Sequence, residues 1–228
     1  TTMTAPSVTI FSSIQSGHAL VIGGNRGIGH GFVKHLLNEP RVERVFATYR
    51  TAGTSAELLQ LANTHKNLHC ITMDLTEEAQ IQSGLAQVQS ISPELHIVIN
   101  CVGFLHDGPI TPEKGLRQLR SDNLMRYFQV NSIGAALLAK HLMPLLNHKR
   151  ANVFATISAK IGSIEDNRLG GWYGYRASKA ALNMFLKTAA IEYSRRCRQT
   201  AIVMLHPGTT DTRLSEPFQR GVPPDKLF

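Results

Sequence analysis

The sequence has few cysteines and no long apolar run. Only three cysteines occur among 228 residues, Cys70, Cys101 and Cys197, and no two of them form a Cys-x-x-Cys pair. An odd number argues against a disulfide framework. No apolar run approaches the length needed to cross a bilayer, and no lysine or arginine precedes Arg26, so we expect neither a membrane span nor the basic segment of a signal peptide. We therefore expect a cytoplasmic protein that is not bound to a membrane.

Patterns for metal or nucleic-acid binding are also missing. The ten histidines include no His-Glu-x-x-His motif, and His65 and His69 lie where a loop is expected to lead into a strand, so we expect no metal site. The net charge of +8 could indicate an anionic partner, but the basic residues are scattered. Their densest group, at 195–198, has the position of a helix end, where cations complement the dipole. A phosphorylated small ligand fits this charge better than a nucleic acid.

What the sequence does contain is an alternation of short apolar runs with longer helical patterns. Strands are predicted at 18–23, 44–49, 68–73, 96–100, 152–158 and 201–206, and helices near 28–38, 54–64, 76–90, 121–147 and 175–196. This alternation predicts right-handed crossovers and a parallel sheet covered on both faces. We expect one doubly wound, Rossmann-type α/β domain over residues 1–228, with ligands beyond the carboxyl ends of its six strands.

The segment after the first predicted strand reads GGNRGIGHG. Gly23, Gly27 and Gly29 would allow a tight turn, close approach of the backbone to a phosphate, and close packing of the next helix. The start of that helix would add N–H groups and partial positive charge. A flexible glycine turn is the alternative, but the position between a strand and a helix favours a nucleotide site.

Two arginines favour a phosphorylated nucleotide. Arg26 lies in the glycine-rich loop, and Arg50 closes the second predicted strand with no acidic residue nearby. An acidic residue at this position would bind a ribose 2′-hydroxyl, whereas arginine accommodates a 2′-phosphate. Together the two arginines favour NADP(H) over NAD(H), although either one alone could be a solvated surface residue.

The stretch GGWYGYRASKAALN, at 170–183, places Tyr175 and Lys179 four positions apart near the start of a predicted helix. Residues at this spacing share one helical face. A free tyrosine has a pKa near 10, and a cation on the same face would lower that pKa and favour general acid–base chemistry. Tyr173 has Ala177 at the matching position and gains no such partner. An ordinary amphipathic helix is the alternative, so the other motifs must decide.

Five motifs occur in an order that resembles the classical short-chain dehydrogenases/reductases. They are the Gly-x-x-x-Gly-x-Gly loop, the Asn-x-x-Gly at 100–103, Asn131 in VNSIGA, the Tyr-x-x-x-Lys pair, and HPGTTDT at 206–212. The segment around Tyr175 further resembles the branch of C-factor-like proteins and Sniffer-type carbonyl reductases. The resemblance implies an NADP(H)-dependent oxidoreductase that acts on a small carbonyl or alcohol, with Tyr175 as general acid/base. The C-factor likeness leaves an alternative, a signalling or sensor protein that binds NADP(H) with little turnover.

The resemblance also implies roles for other residues. Lys179 would hold the nicotinamide ribose, and Asn131 would support a proton relay unless it only bonds its local backbone. Asp74 would bind adenine or cap the next helix, and residues after 212 would form a substrate lid. The residues expected at the cofactor are Gly23, Asn25, Arg26, Gly27, Ile28, Gly29, Arg50, Asp74, Leu75, Asn100, Val102, Gly103, Tyr175, Lys179, Pro207, Gly208 and Thr212. Small residues along the Tyr175 helix, including Ala177, would permit a homodimer or homotetramer.

The serine that this family places after the fifth strand has no direct counterpart. With Gly162 aligned to the family's glycine, the usual position falls on Ala159. Ser158 closes the predicted strand one residue earlier, so we expect its hydroxyl to lie beside Tyr175 as a catalytic group. Ser163 is the other candidate, and a strand-end cap with no catalytic role is the alternative for Ser158.

Two more departures carry expectations. Ile22 stands where the family usually has threonine, so a hydroxyl bond that stabilises the glycine-rich loop should be missing. The family's seventh strand would follow Phe228, so we expect that strand to be absent from this sequence.

Overall fold

The computed structural model describes residues 16–220, 223, 227 and 228. Within them, six strands form one sheet: β1 (Gly17–Ile22), β2 (Val42–Tyr49), β3 (Leu68–Thr72), β4 (Ile97–Asn100), β5 (Asn152–Ile157) and β6 (Thr200–Leu205). Their order across the sheet is β3-β2-β1-β4-β5-β6, and every pairing is parallel. The strand order reverses between β1 and β4, which is where ligands bind in such sheets. The predicted doubly wound α/β fold is confirmed.

The described residues include α1 (Gly27–Leu37), α2 (Ala56–Thr64), α3 (Glu78–Ile91), α4 (Ser121–Phe128), α5 (Gly134–Leu146) and α6 (Tyr173–Arg196). The helix predicted at 121–147 is interrupted by a π-helical turn over Gln129–Ile133, a feature frequent at functional sites. The start predicted at Thr76 is too early, because Asp74 Oδ1 accepts bonds from the amide and hydroxyl of Thr76 and holds it in a turn. No helix in these ranges is long and apolar enough to cross a membrane.

Apolar side chains cover both faces of the sheet. On β1, Leu20 and Ile22 belong to one buried cluster and Ala19 and Val21 to the other, because successive strand residues face opposite sides. Helices α3, α5 and α6 contribute to the first cluster through residues such as Leu85, Leu142 and Leu186, and α1 and α2 to the second through Val33 and Leu58. Each such buried side chain contributes about 1.5–3 kcal/mol. This packing fixes the strand ends that carry the motifs.

Strand β6 is an edge of the sheet in the described residues. Its Met204 and Leu205 are 36% and 39% exposed, whereas Phe154 on the neighbouring β5 is fully buried. The carboxyl end of β6 nevertheless leads directly into the segment that carries the HPGTTDT motif.

Candidate active site

The glycine-rich loop has the backbone that its sequence predicts. Gly23 and Gly27 have φ angles of +76° and +51°, in the left-handed region that favours glycine. A Cβ atom at Gly29 would lie 2.1 Å from the carbonyl oxygen of Gly23, so no larger residue fits there. The residue before α1, Arg26, makes no side-chain cap, which leaves the first N–H groups of α1 free to bind an anion.

A hydroxyl group does bond to this loop, although Ile22 cannot supply it; the hydroxyl belongs to a residue of another strand. Thr48 in β2 accepts a bond from the Gly23 amide through its hydroxyl, at 3.0 Å, and from the Gly24 amide through its carbonyl oxygen, at 2.9 Å. The expectation drawn from Ile22 was wrong because β2 lies next to β1 and supplies the acceptor.

Arg26 and Arg50 are both exposed. Among the described residues neither guanidinium has an ion pair or a hydrogen bond. Asn25 Nδ2 donates to the carbonyl oxygen of Thr54 at 3.1 Å, which ties the glycine-rich loop to the segment after Arg50. The two arginines thus follow adjacent strands on segments that touch, with their charges available to an anionic ligand.

Two of the predicted cofactor residues, Asp74 and Leu75, have side chains that contact other parts of the protein. Asp74 Oδ1 accepts both bonds from Thr76, at 2.9 and 2.8 Å. Since α3 begins at Glu78 and has no side-chain cap, Asp74 holds the preceding turn and does not cap the helix, and its contact with adenine stays a prediction. The Leu75 side chain is only 3% exposed and lies in the core. Any contact of Leu75 with a cofactor would therefore use its main chain.

Tyr175 and Lys179 lie in the first two turns of α6, at 7% and 2% exposure. Lys179 Nζ lies 5.8 Å from the centre of the Tyr175 ring and donates to the carbonyl oxygen of Ile157 at 3.1 Å. Burial raises the pKa of Tyr175 to about 12 and lowers the pKa of Lys179 to about 8. The expected lowering of the tyrosine pKa was wrong for the ligand-free protein, because desolvation of the phenolate outweighs the nearby ammonium. The phenol is protonated at neutral pH, as a general acid must be.

Asn131 joins two parts of the site from inside the π-helical turn. Its Oδ1 accepts a bond from the Phe104 amide at 2.7 Å, and its Nδ2 donates to the Phe104 carbonyl oxygen at 2.8 Å. Its Nδ2 also donates to Ser178 Oγ at 3.0 Å, and that hydroxyl donates to the carbonyl oxygen of Tyr175 at 2.9 Å. These partners are distant in sequence, so the local-backbone alternative does not describe Asn131.

The loop after β4 approaches both the glycine-rich loop and the Tyr175 helix. Asn100 Oδ1 accepts a bond from the Val102 amide at 3.1 Å, and Val102 Cγ2 would lie 3.0 Å from a Cβ at Gly23. A Cβ at Gly103 would lie 3.7 Å from Lys179 Nζ. The glycine-rich loop and the Tyr175 helix therefore share one cleft.

The HPGTTDT segment closes the same cleft. A Cβ at Gly27 would lie 3.3 Å from Thr212 Cγ2, and Gly208 has a φ angle of +78° in the turn that follows Pro207. Ile28, in the first turn of α1, is partly exposed. These positions are compatible with the predicted cofactor contacts, which stay predictions.

The serine expected beside Tyr175 faces the other way. Ser158 Oγ donates to Asn183 Oδ1 at 2.7 Å, and the Ser158 amide continues the strand pairing with Leu205 at 2.7 Å. Ala159 is extended and packs against the buried group that contains Tyr175. Because neighbouring extended residues face opposite sides, the structure does not support Ser158 as a catalytic group.

Ser163 is also turned away. Its hydroxyl accepts a bond from the Asp166 amide at 3.3 Å, and it lines a cleft with Ser158 and Asn183. Neither serine is therefore placed beside the phenol of Tyr175.

Aromatic side chains that the sequence reasoning did not identify surround Tyr175. The ring of Trp172 lies 6.1 Å from that of Tyr175 and 4.8 Å from that of Phe218. The ring of His106 lies 5.6 Å from Phe218. Leu214 and Phe218 pack on the same group, so the segment after Thr212 lies near the group that contains Tyr175, and its role as a substrate lid stays a prediction. The one available signal was the single tryptophan of the chain beside two glycines.

A group of potential metal ligands lies at the amino ends of β4 and β5, at the end of the sheet away from the candidate active site. Ligand atoms of Glu94, His96 and His148 fall within 4.8 Å of one another. Arg150 already binds the Glu94 carboxylate at 2.6 Å, and His148 Nε2 lies 2.8 Å from the carbonyl oxygen of Leu95. Most of these ligand atoms are therefore already paired, and we assign no metal to them.

The comparisons with known proteins agree with this geometry. The sequence pattern of the short chain dehydrogenase family matches residues 17–222. An uncharacterised oxidoreductase of Schizosaccharomyces pombe is 30% identical over 198 residues, which cover 85% of this chain and 73% of the relative. The 1-hydroxy-2-glutathionyl-2-methyl-3-butene dehydrogenase of a Rhodococcus species is 29% identical, with coverage of 87% and 80%.

Two solved structures share the fold at similar identity. The NADPH-bound carbonyl reductase from chicken fatty liver has a TM-score of 0.79 and 30% identity, over 88% of this chain and 82% of its own. The carbonyl reductase Sniffer of Drosophila melanogaster has a TM-score of 0.79 and 29% identity, over 87% and 83%. This chain belongs to the short chain dehydrogenase family of oxidoreductases and resembles its carbonyl reductases.

Proposed function

We propose that this enzyme uses NADPH to reduce the carbonyl group of a small, largely apolar substrate, with Tyr175 as the proton donor. The observation that carries this proposal is the buried, protonated Tyr175, with Lys179 on the same helical face and the rings of Tyr127 and Trp172 packed near its own. Lys179 is expected to bind the cofactor ribose. Asn131 is expected to support the proton relay by holding the loop after β4.

The residues at the carboxyl edge of the sheet fit NADP(H). The glycine-rich loop leaves no room for a Cβ at Gly29, and the start of α1 offers N–H groups to a pyrophosphate. Arg26 and Arg50 would bind the 2′-phosphate, and Gly103 leaves space beside Lys179. When bound, NADPH supplies the hydride for reduction. The NADPH-bound relative from chicken supports this assignment.

The protein's own part in the reaction is proton transfer and positioning. Reduction of a carbonyl adds a hydride to carbon and a proton to oxygen, and the Tyr175 hydroxyl would donate that proton to the developing alkoxide. Among the described residues that hydroxyl has no hydrogen-bond partner, so the substrate oxygen can take that place. Ala159 adds apolar surface to the group that contains Tyr175.

The aromatic and aliphatic side chains grouped with Tyr175 favour substrates with an apolar or aromatic group next to the carbonyl. Trp172 and Phe218 present their rings at 4.8 Å from each other, and Leu214 and Ile110 add aliphatic surface. Aromatic side chains bind flat apolar groups through both buried area and ring contacts. We therefore expect aryl aldehydes, aryl ketones and quinones to be better substrates than short polar aldehydes.

A reductase screen tests the proposal. Purified protein is incubated with NADPH and each of a set of aldehydes, ketones and quinones, and NADPH consumption is followed with and without substrate. We expect substrate-dependent consumption, fastest with the aromatic members. Tight NADPH binding with no consumption for any member would instead favour the C-factor-like sensor alternative.

We also propose that the protein forms a homodimer or homotetramer and is located in the cytoplasm. The outer face of α6 exposes Met184, Phe185 and Ile191, at 67%, 44% and 47%, next to the exposed, small Ala177. Such an apolar stripe is suited to packing against a second copy across a two-fold axis. Light scattering coupled to gel filtration measures the mass directly, and a monomer at micromolar concentration would contradict this part.

A further inference from the structure

Glu113 has an unusual environment for a carboxylate. It lies in the loop between β4 and α4 and is only 2% exposed, yet no ion pair in the described part of the chain involves it. Its Oε2 accepts a bond from the Gly174 amide at 3.1 Å, and its Oε1 is buried without a partner. A buried carboxylate is costly unless its surroundings compensate, so the contacts of Glu113 need an explanation.

The start of α6 compensates part of the cost of burying this carboxylate. The residue before this helix, Trp172, makes no side-chain cap, and the Gly174 amide would otherwise have no partner inside the helix. Glu113 reaches it from a loop distant in sequence and places a negative charge at the positive end of the helix dipole. Tyr175 is the next residue, so this bond fixes the helical turn that carries the phenol.

The main chain of Glu113 also contacts the turn that precedes α6. Gly170, Gly171 and Trp172 have φ angles of +66°, +65° and +55°. For a bulky residue such as Trp172 this conformation costs about 1–3 kcal/mol and persists only when its surroundings hold it. The main-chain oxygen of Glu113 accepts a bond from the Trp172 amide at 2.5 Å, which is one such constraint.

The fit around Glu113 leaves little room for movement. A Cβ at Gly174 would lie 3.1 Å from Glu113 Oε1 and 2.3 Å from the ring of Tyr127, and a Cβ at Gly171 would lie 3.3 Å from the main-chain oxygen of Glu113. Both ends of this residue are therefore packed directly against the segment that joins Trp172 to Tyr175.

We propose that Glu113 is a positioning residue: its main-chain oxygen holds the turn at Trp172, and its buried carboxylate holds the first turn of α6, so that the indole and the phenol of Tyr175 face one substrate. This inference rests on the proposed reductase function. It assigns to Glu113 no contact with substrate. A displacement of about 1 Å at a reacting group can cost about a hundredfold in rate, so loss of this bond should reduce turnover.

The test compares Glu113→Gln, Glu113→Ala and Glu113→Asp with a matched control. A glutamine amide oxygen can still accept the Gly174 bond, an alanine cannot, and an aspartate keeps the charge but is one methylene too short. The control is Asn167→Ala, because Asn167 Oδ1 accepts a bond from the Gly170 amide at 3.1 Å on the exposed side of the same turn. Four readouts are compared: kcat, KM, the NADPH dissociation constant and tryptophan emission. Trp172 is the only tryptophan, so the emission reports on this turn alone.

We expect Glu113→Ala to lose at least about tenfold in kcat and to shift the emission to the red, because the first turn of α6 loses its anchor at Gly174 and the adjoining Trp172 becomes more exposed to water. Glu113→Gln should stay within about threefold of the parent with unchanged emission, and NADPH affinity should change less than about twofold in every variant. The Asn167→Ala control should match the parent. If Glu113→Ala does not fold, Glu113→Asp carries the same expectation in milder form.

Two results would overturn the inference. One is a folded Glu113→Ala or Glu113→Asp with parental kcat and emission, and the other is a Glu113→Gln as impaired as Glu113→Ala. Emission and NADPH binding need no turnover. A parent that reduces no carbonyl would therefore remove the proposed function, while the emission of the variants would still decide whether Glu113 holds the turn.

Discussion

The hydroxyl of Ser158 donates to Asn183 Oδ1 at 2.7 Å, and the next residue, Ala159, is the one that packs against the Tyr175 group. A slip of one residue along an extended chain thus turns the hydroxyl towards α6 and leaves an alanine packed against the group that contains Tyr175. The Tyr127 hydroxyl in the same group is already used, because it donates to the carbonyl oxygen of Leu105 at 2.7 Å. Tyr175 is therefore the single free hydroxyl donor in this group.

Ser158→Ala should have little effect on turnover. The change removes one hydrogen bond to Asn183, which is worth about 1 kcal/mol of folding stability, and should keep kcat within about threefold of the parent. Ser163→Ala, whose hydroxyl is also turned away, is the matched control and should behave alike. A loss of about a hundredfold in kcat for Ser158→Ala, the size seen when an oxyanion donor is removed, would contradict the orientation of Ser158.

Arg50→Ala should weaken NADPH binding selectively. A hydrogen bond from a guanidinium to a phosphate is worth about 1.5–3 kcal/mol, so the NADPH dissociation constant should rise by at least about tenfold while that of NADH stays nearly constant. The control is Arg198→Ala, which removes an exposed charge just after the carboxyl end of α6. Titration by fluorescence measures both cofactors, and an equal loss for NADPH and NADH would refute a 2′-phosphate contact.

The affinity for NADPH should fall as the pH rises through about 8. Burial lowers the pKa of Lys179 to about 8, so its ammonium carries charge below that pH and loses it above. An anionic cofactor is attracted only by the charged form. Binding constants measured from pH 6.5 to pH 9.5 (about three units around that pKa) should show this inflection. Lys179→Met should abolish it and the exposed Lys187→Met should keep it; an inflection that survives in Lys179→Met belongs to another group.

Stability should fall in mild acid because of His96. This side chain is fully buried, and its desolvation lowers the pKa to about 4. The folded protein therefore resists a proton that the unfolded chain takes up near pH 6.5, and stability present above that pH is lost as the pH falls towards 4. The difference corresponds to about 3 kcal/mol.

His96→Asn isolates this contribution. An asparagine oxygen can replace His96 Nδ1 as acceptor of the His18 amide, a bond of 3.1 Å, but it does not titrate. Urea unfolding at several pH values should give a shallower decline between pH 6.5 and 4 for the variant. If the free energy of unfolding declines equally in parent and variant, a group other than His96 causes the acid sensitivity.

The sequence predicted most of what depends on local pattern. The order of strands and helices, the tight turn at Gly23 and Gly27, and the shared face of Tyr175 and Lys179 all follow from spacing and residue type. These features depend on the chain within a few residues, where periodicity and backbone sterics are informative.

The sequence could not predict what depends on distant neighbours. The substitute hydroxyl of Thr48 comes from an adjacent strand, and Glu113 reaches Gly174 across 61 positions. The pKa of Tyr175 moved in the opposite direction from the expectation, because its burial depends on how the loops fold over it. The side on which Ser158 faces depended on whether strand pairing continued past residue 157, which the end of an apolar run does not specify.

The most direct measurement is the turnover of Tyr175→Phe on a confirmed carbonyl substrate, with Tyr173→Phe as its control. Tyr173 lies two residues away and is 36% exposed, so its hydroxyl has no expected role. We expect Tyr175→Phe to lose about a hundredfold to ten-thousandfold in kcat, with the NADPH dissociation constant within about twofold of the parent, because only the donor oxygen is removed. A Tyr175→Phe variant that keeps most of its kcat, like the control, would contradict the assignment of Tyr175 as the acid.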